Sequence, residues 1–126
     1  MKAGIAAVLL TQVILLGFGG WENRFQLNLD GVAYCRIAGY YAGGQTDLML
    51  SGCWSPMISW LMVPGLWLGL SDLLSARLAM AASAVLFLVG AIAFLRVLKL
   101  PSAAVVVGAW IVMFKTIYWA SCLITP

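Results

Sequence analysis

The sequence predicts an all-α membrane protein. It reads as three transmembrane helices, or four if a proline-interrupted segment also crosses, plus juxtamembrane surface helices in the first external loop. Three observations predict this. The 126 residues are 64% hydrophobic and 9% charged, with six Trp, a composition outside the range of soluble domains. Three long apolar runs approach the roughly 20 residues that a helix needs to cross a bilayer. All four acids (Glu22, Asp30, Asp47, Asp72) fall between positions 22 and 72. Charge gathered between greasy segments marks the wet face, where binding or chemistry belongs.

Composition also excludes function classes. The chain has no histidine, so Ser-His-Asp and Cys-His catalysis and His-based metal sites are ruled out. Cys35, Cys53 and Cys122 lack CxxC spacing, which argues against zinc. Cys35 and Cys53 share the polar loop. They either pair in an oxidising compartment or stay free as small apolar residues. The seven Lys and Arg are scattered singly near segment ends, as the positive-inside rule places them. They form no basic patch, so no nucleic-acid partner is expected.

The elements follow in order. Residues 3–21 are uncharged and long enough to span, with Lys2 before them. A signal peptide cut near Gly17-Phe18-Gly19 competes with a retained anchor. The anchor is preferred because the run is long and the site lacks alanines. Trp21 and Phe25 suit an interfacial anchor. Residues 31–42 read as a short surface helix with Ala33, Ile37 and Tyr41 on one face, Asp30 as its cap and Gly43-Gly44 as its stop. Residues 53–71 are uncharged, but Pro56 and Pro64 interrupt them, and Trp54, Trp60 and Trp67 are spread along them rather than gathered at the ends. Ser55-Pro56 is ordinary helix-start chemistry. Gly65 and Gly69 form a GxxxG pair that permits close helix contact. Ser71-Asp72 reads as the cap of a span over 73–95, and residues 102–124 form another, apolar except for Lys115.

Orientation sets the number of crossings. Lys2 places the N-terminus in the cytoplasm, and Arg96 and Lys99 form the strongest basic pair. That pair lands inside only if residues 53–71 lie along, or dip into, the outer surface. The resulting layout is a single multi-pass membrane domain over 1–126: span 3–21, external region 22–72, span 73–95 and span 102–124. Its location is the inner or plasma membrane.

Four residues are singled out. Asp30 is the candidate base, with a plain helix cap as the compatible alternative. Arg36 and Lys115 are candidate contacts for an anionic substrate. For Arg36 the plainer reading is a headgroup contact. For Lys115 it is snorkelling, or packing against a partner helix. Asp47 is a further candidate substrate contact, otherwise a loop acid. No cofactor is expected. Asp30 and Asp47 are thin support for a shared divalent ion.

Leu29-Asp30-Gly31-Val32-Ala33-Tyr34-Cys35-Arg36-Ile37-Ala38, then Tyr40-Tyr41-Ala42-Gly43-Gly44, Ser51-Gly52-Cys53-Trp54-Ser55-Pro56-Met57-Ile58-Ser59-Trp60-Leu61 and Ala76-Arg77-Leu78 follow the first span. This order resembles the N-terminal part of the GT-C fold membrane glycosyltransferases, the group of protein O-mannosyltransferases and aminoarabinose transferases. The resemblance implies that Asp30 corresponds to the first-loop acid, which acts as or near the catalytic base. It implies a sugar carried on a polyprenyl phosphate as donor, and an acceptor outside the cytoplasm. Departures are visible. Gly31 stands where many members carry a second acid, and Trp54-Ser55 where a Lys often precedes the Pro segment. Family members are also far longer, so the expectation is a partial chain that works with a remaining C-terminal portion or a partner subunit. The alternative is a small non-catalytic multi-pass protein, a subunit or an inactive remnant.

Overall fold

A computed structural model describes residues 2–23, 29–53 and 55–122, with the side chains of 118–122 excepted. Phe25 and Trp54, two of the aromatics weighed above, lie outside the described residues. The described residues form helices and no strand: α1 (Lys2–Glu22), α2 (Leu29–Ala42), α3 (Thr46–Met49), α4 (Pro56–Trp67), α5 (Asp72–Val97) and α6 (Ser102–Cys122). By length and composition α1 and α5 are both able to cross a membrane, and α6 is apolar over Ser102–Ile117. At 1.5 Å per residue α5 is about 39 Å long and α1 about 31 Å, against a hydrocarbon core of about 30 Å. The 14 residues of α2 and 12 of α4 reach only about 21 and 18 Å. Contacts group the described residues into two units, one of residues 2–22 with 81–122 and one of those between 23 and 80.

In the first unit, Ile5 and Val8 of α1, Leu88 and Ile92 of α5, and Val105, Ala109 and Met113 of α6 form one core. Gly4 lets α1 close on α6: a Cβ there would lie 3.1 Å from Val106 Cγ2. Helix α6 folds back along α5, with Leu95 of α5 against Gly108. The reversal puts Lys99 in the left-handed region (φ 53°), with its N–H donating to Arg96 O at 3.0 Å. Pro101 follows, where a helix start tolerates the missing N–H. The buried seam of α1 continues to Gln12, whose carboxamide is fully enclosed with neither polar atom hydrogen-bonded.

In the second unit, Cys35 and Ala38 of α2, Met62 of α4, and Ala76 and Ala79 of α5 form the core, flanked by Tyr34, Ile58 and Leu66. Ser59 Oγ donates to Tyr34 O (3.0 Å) and Trp67 Nε1 donates to Ala42 O (3.3 Å). Both bonds join residues 25 apart, so α2 and α4 run in parallel. The buried residues of α2 are Gly31, Cys35, Ile37 and Ala38. The face expected through Ala33, Ile37 and Tyr41 is thus turned, with Ile37 shared. Small side chains let the two backbones approach, and that closeness, not greasy bulk, selects the face.

Helix ends explain the remaining differences. Helix α2 closes with a double reversal, Gln45 N–H to Tyr40 O and Gly44 N–H to Tyr41 O, with Gly44 at φ 67°; this is the Schellman arrangement. Helix α4 closes the same way, Leu70 N–H to Gly65 O and Gly69 N–H to Leu66 O, with Gly69 at φ 78°. Gly69 therefore stops α4, and only Gly65 serves the close contact expected of the pair. Pro64 does not break α4, which continues to Trp67. Ser55 occupies the N-cap position with Pro56 after it, but its hydroxyl makes no capping bond. Ser71 caps α5 by accepting from Leu74 N–H (3.3 Å), while Asp72 falls in the first turn. Asp72 and Arg96 at opposite ends of α5 complement its macrodipole.

Candidate functional site

Asp30 is exposed and sits in the first turn of α2. The helix begins at Leu29, so Asp30 lies inside it rather than capping it from outside. A carboxylate in that turn is favoured by the free N–H groups and the positive end of the dipole. Arg36 lies further along the same helix and is exposed. Its Nε donates to Tyr40 Oη at 2.7 Å, and its guanidinium carbon is 5.9 Å from the Tyr40 ring centroid. The phenol thereby fixes one edge of the guanidinium. Asp47 is exposed in the first turn of α3, a short helix that the sequence presents as loop. No hydrogen bond or ion pair joins Asp30, Arg36 and Asp47 among the described residues. Lys115 belongs to the other unit and is exposed on α6. Among the described residues no three Cys, Asp or Glu side chains gather to hold a metal.

Sequence reasoning missed three contacts that hold α2 and its surroundings. Ser59 and Trp67 tie α4 to α2 carbonyls, as described above. Arg77, in the second turn of α5, donates from a guanidinium nitrogen to the carbonyl of Asn23, just past the end of α1. The signal was present for Arg77: a guanidinium at the head of a long apolar run must find an acceptor.

Cys35 and Cys53 are free thiols, the first buried and the second exposed. Burial, reinforced by the negative charge of Asp72, pushes the Cys35 thiol above its usual pKa. Because the neutral form is favoured in the fold, this stability is complete below the ordinary thiol pKa and is lost as pH rises from there through the raised folded value. Thiolate is the reactive species. With Cys122 replaced by Ser, maleimide at pH 7.5 should therefore modify Cys53 at least tenfold faster than Cys35. Equal rates would mean that the α2–α4–α5 core opens readily.

Compared with protein-family models, curated proteins and solved structures, the chain matches none. The class defined by the fold, among the described residues, is all-helical with two helices long and apolar enough to cross a membrane.

Proposed function

We propose that residues 1–126 act as the N-terminal portion of a GT-C-like membrane glycosyltransferase. It would take a sugar from a polyprenyl-phosphate donor and pass it to an acceptor outside the cytoplasm. The observation that carries this reading is an exposed carboxylate, Asp30, on the first turn of the helix that follows an apolar helix long enough to span. In this reading α1, α5 and α6 cross the bilayer, residues 22–72 lie on the outer side, and the N-terminus and the Arg96–Lys99 turn lie in the cytoplasm. The 12 residues of α4 support this layout, because about 18 Å of helix falls short of a crossing.

The chemistry follows from the charges. Asp30 accepts the proton of an acceptor hydroxyl, whose oxygen forms the new bond to the anomeric carbon. The bond from that carbon to the phosphate oxygen breaks, and the polyprenyl phosphate leaves with the electron pair. Arg36, braced by Tyr40, offers its remaining donors to the phosphate. On α6, Lys115 extends its ammonium toward lipid phosphate at headgroup level. Asp47 contacts polar groups of the substrate.

Asp30→Asn keeps the shape and removes the base. Transfer of labelled sugar from polyprenyl-phosphate donors in native membranes should fall by about 10²-fold or more. Unchanged transfer takes Asp30 out of the mechanism. A second reading, a small non-catalytic membrane subunit, is favoured by one fact: Asp30, Arg36 and Asp47 share no hydrogen bond or ion pair among the described residues. Under that reading, membranes carrying the wild-type chain transfer no more sugar than membranes lacking it.

A further inference from the structure

The first unit brings together three cations that are far apart in the sequence. Gly4 of α1 meets Val106 of α6, and Ile5 and Val8 share a core with Val105, Ala109 and Met113, so α1 and α6 start at the same end. Lys2, two residues before Gly4, is then level with the first turn of α6. Arg96 stands in the last turn of α5, and Lys99 in the short turn that joins α5 to α6. All three residues are exposed. Among the described residues, none of their charged groups has a hydrogen bond or an ion pair. The acid of this unit, Glu22, lies at the other end of α1, about 30 Å from Lys2 along the helix. No acid stands at the cationic end to offset the charge.

The positive-inside rule would be met by any exposed cations here. It does not account for the backbone of Lys99. That residue closes α5 at φ 53°, in the left-handed region that an L side chain enters at a cost and glycine enters freely. The chain places glycine at the matching closures of α2 and α4, Gly44 at φ 67° and Gly69 at φ 78°. In each of the three the N–H bonds the carbonyl three residues back, Lys99 to Arg96, Gly44 to Tyr41 and Gly69 to Leu66. A lysine held where glycine would relax the turn points to work done by its side chain. Val97, Leu98 and Leu100 flank it, 76%, 52% and 40% exposed. Cations beside exposed apolar side chains suit a ligand with an anionic head and hydrocarbon tails.

We infer that Lys2, Arg96 and Lys99 form a binding site for the headgroup of an anionic glycerophospholipid. The guanidinium forks onto the phosphodiester oxygens and the two ammonium groups add point charges. Val97, Leu98 and Leu100 meet the glycerol and the upper acyl chains. The inference rests on the reading that α1, α5 and α6 cross the bilayer, and it adds a lipid distinct from the sugar donor.

Lipid selectivity of the purified chain tests this. Native mass spectrometry from detergent micelles reads the affinity for the first dioleoyl phosphatidylglycerol and, separately, for the first dioleoyl phosphatidylcholine. The wild-type chain should prefer the anionic lipid by about tenfold or more. Lys2→Gln, Arg96→Gln and Lys99→Gln should each cut that preference about fivefold, the effect of one basic residue at a membrane surface. Lys99→Arg should retain it. Lys99→Gly separates side chain from backbone: it should melt at the wild-type temperature or above, yet lose preference as Lys99→Gln does. Equal binding of the two lipids by the wild-type chain overturns the inference, and so does undiminished preference in Lys99→Gln and Lys99→Gly. A lower melting temperature for Lys99→Gly would give the lysine a structural role and overturn it as well. Excess glycerol phosphate should leave the lipid bound, and displacement would assign the site to soluble phosphates instead. Alkaline carbonate extraction of the chain from phosphatidylcholine vesicles reads the membrane crossing separately. A chain that is extracted sinks both readings, whereas a chain that stays embedded without lipid preference sinks only the headgroup site.

Discussion

Gly65→Leu should lower the stability of the protein by about 2–3 kcal/mol, the upper part of the range for forcing volume into a packed site. The reason is geometric. A Cβ on residue 65 would lie 2.6 Å from Ser75 Oγ and 3.0 Å from Ser75 Cβ, and Ser75 is itself buried. Neither atom is the free end of a flexible chain, so the two helices must separate. Separation opens the core shared by Met62, Ala76 and Ala79, and with it the seat of Cys35 and Ala38 on α2. Gly65→Ala should cost less, and the pair Gly65→Ala with Ser75→Gly should recover most of the loss. Thermal unfolding in detergent, followed by circular dichroism, reads all three. Wild-type melting of Gly65→Leu would mean that α4 and α5 do not touch at this point.

Gln12→Met should act in the opposite direction, raising stability by about 1–2 kcal/mol. The carboxamide is wholly enclosed in the α1–α5–α6 core and neither its nitrogen nor its oxygen is hydrogen-bonded. Leaving buried polar groups unmade costs about 1–3 kcal/mol, whereas an apolar side chain of similar volume carries no such penalty. Methionine also adapts its shape to the space. The same melting assay decides the matter. A lower melting temperature for Gln12→Met would show that the amide is satisfied in the working protein, by water or by another group, and that its enclosure is functional.

The long helices were legible in the sequence because a bilayer-length apolar run depends on composition alone. Residues 3–21 and 73–95, read as spans, fall within α1 and α5. The short helices were legible through punctuation: Gly43-Gly44 after α2, and Ser55-Pro56 before α4. What could not be read was which face of each short helix meets its neighbour. Gly31 and Cys35 are small, so a periodicity argument passes over them in favour of Ala33 and Tyr41, and it places Ala38 only beside the stripe. Packing of backbone against backbone reverses that order. The glycine pair shows the same ambiguity. Gly65 and Gly69 look equivalent in sequence, yet one closes a helix contact and the other turns the chain with φ 78°. Local dihedrals separate them, and spacing does not encode those.

The candidate site was legible only as separate residues. Asp30, Arg36 and Asp47 are exposed, in keeping with polar groups placed outside the apolar runs. Their relation to one another was beyond the sequence, since it depends on how α2 and α3 are set by the Gly44 turn. The bond from Arg36 to Tyr40 was accessible in principle as an i, i+4 pair on a helix. The bonds of Ser59 and Trp67 to α2 carbonyls depend on parallel packing of two helices, which no local pattern announces.

The measurement that bears most directly on the account is the sidedness of the two loops. In a chain with Cys35, Cys53 and Cys122 replaced by Ser, single cysteines are placed at Asp47 and at Lys99, and sealed vesicles of known orientation are treated with a membrane-impermeant maleimide. The account predicts that Asp47→Cys is labelled from the non-cytoplasmic side and Lys99→Cys only from the cytoplasmic side. Labelling of both from one side would contradict it, because α5 would then not carry the chain across the bilayer between Asp30 and the Arg96–Lys99 turn.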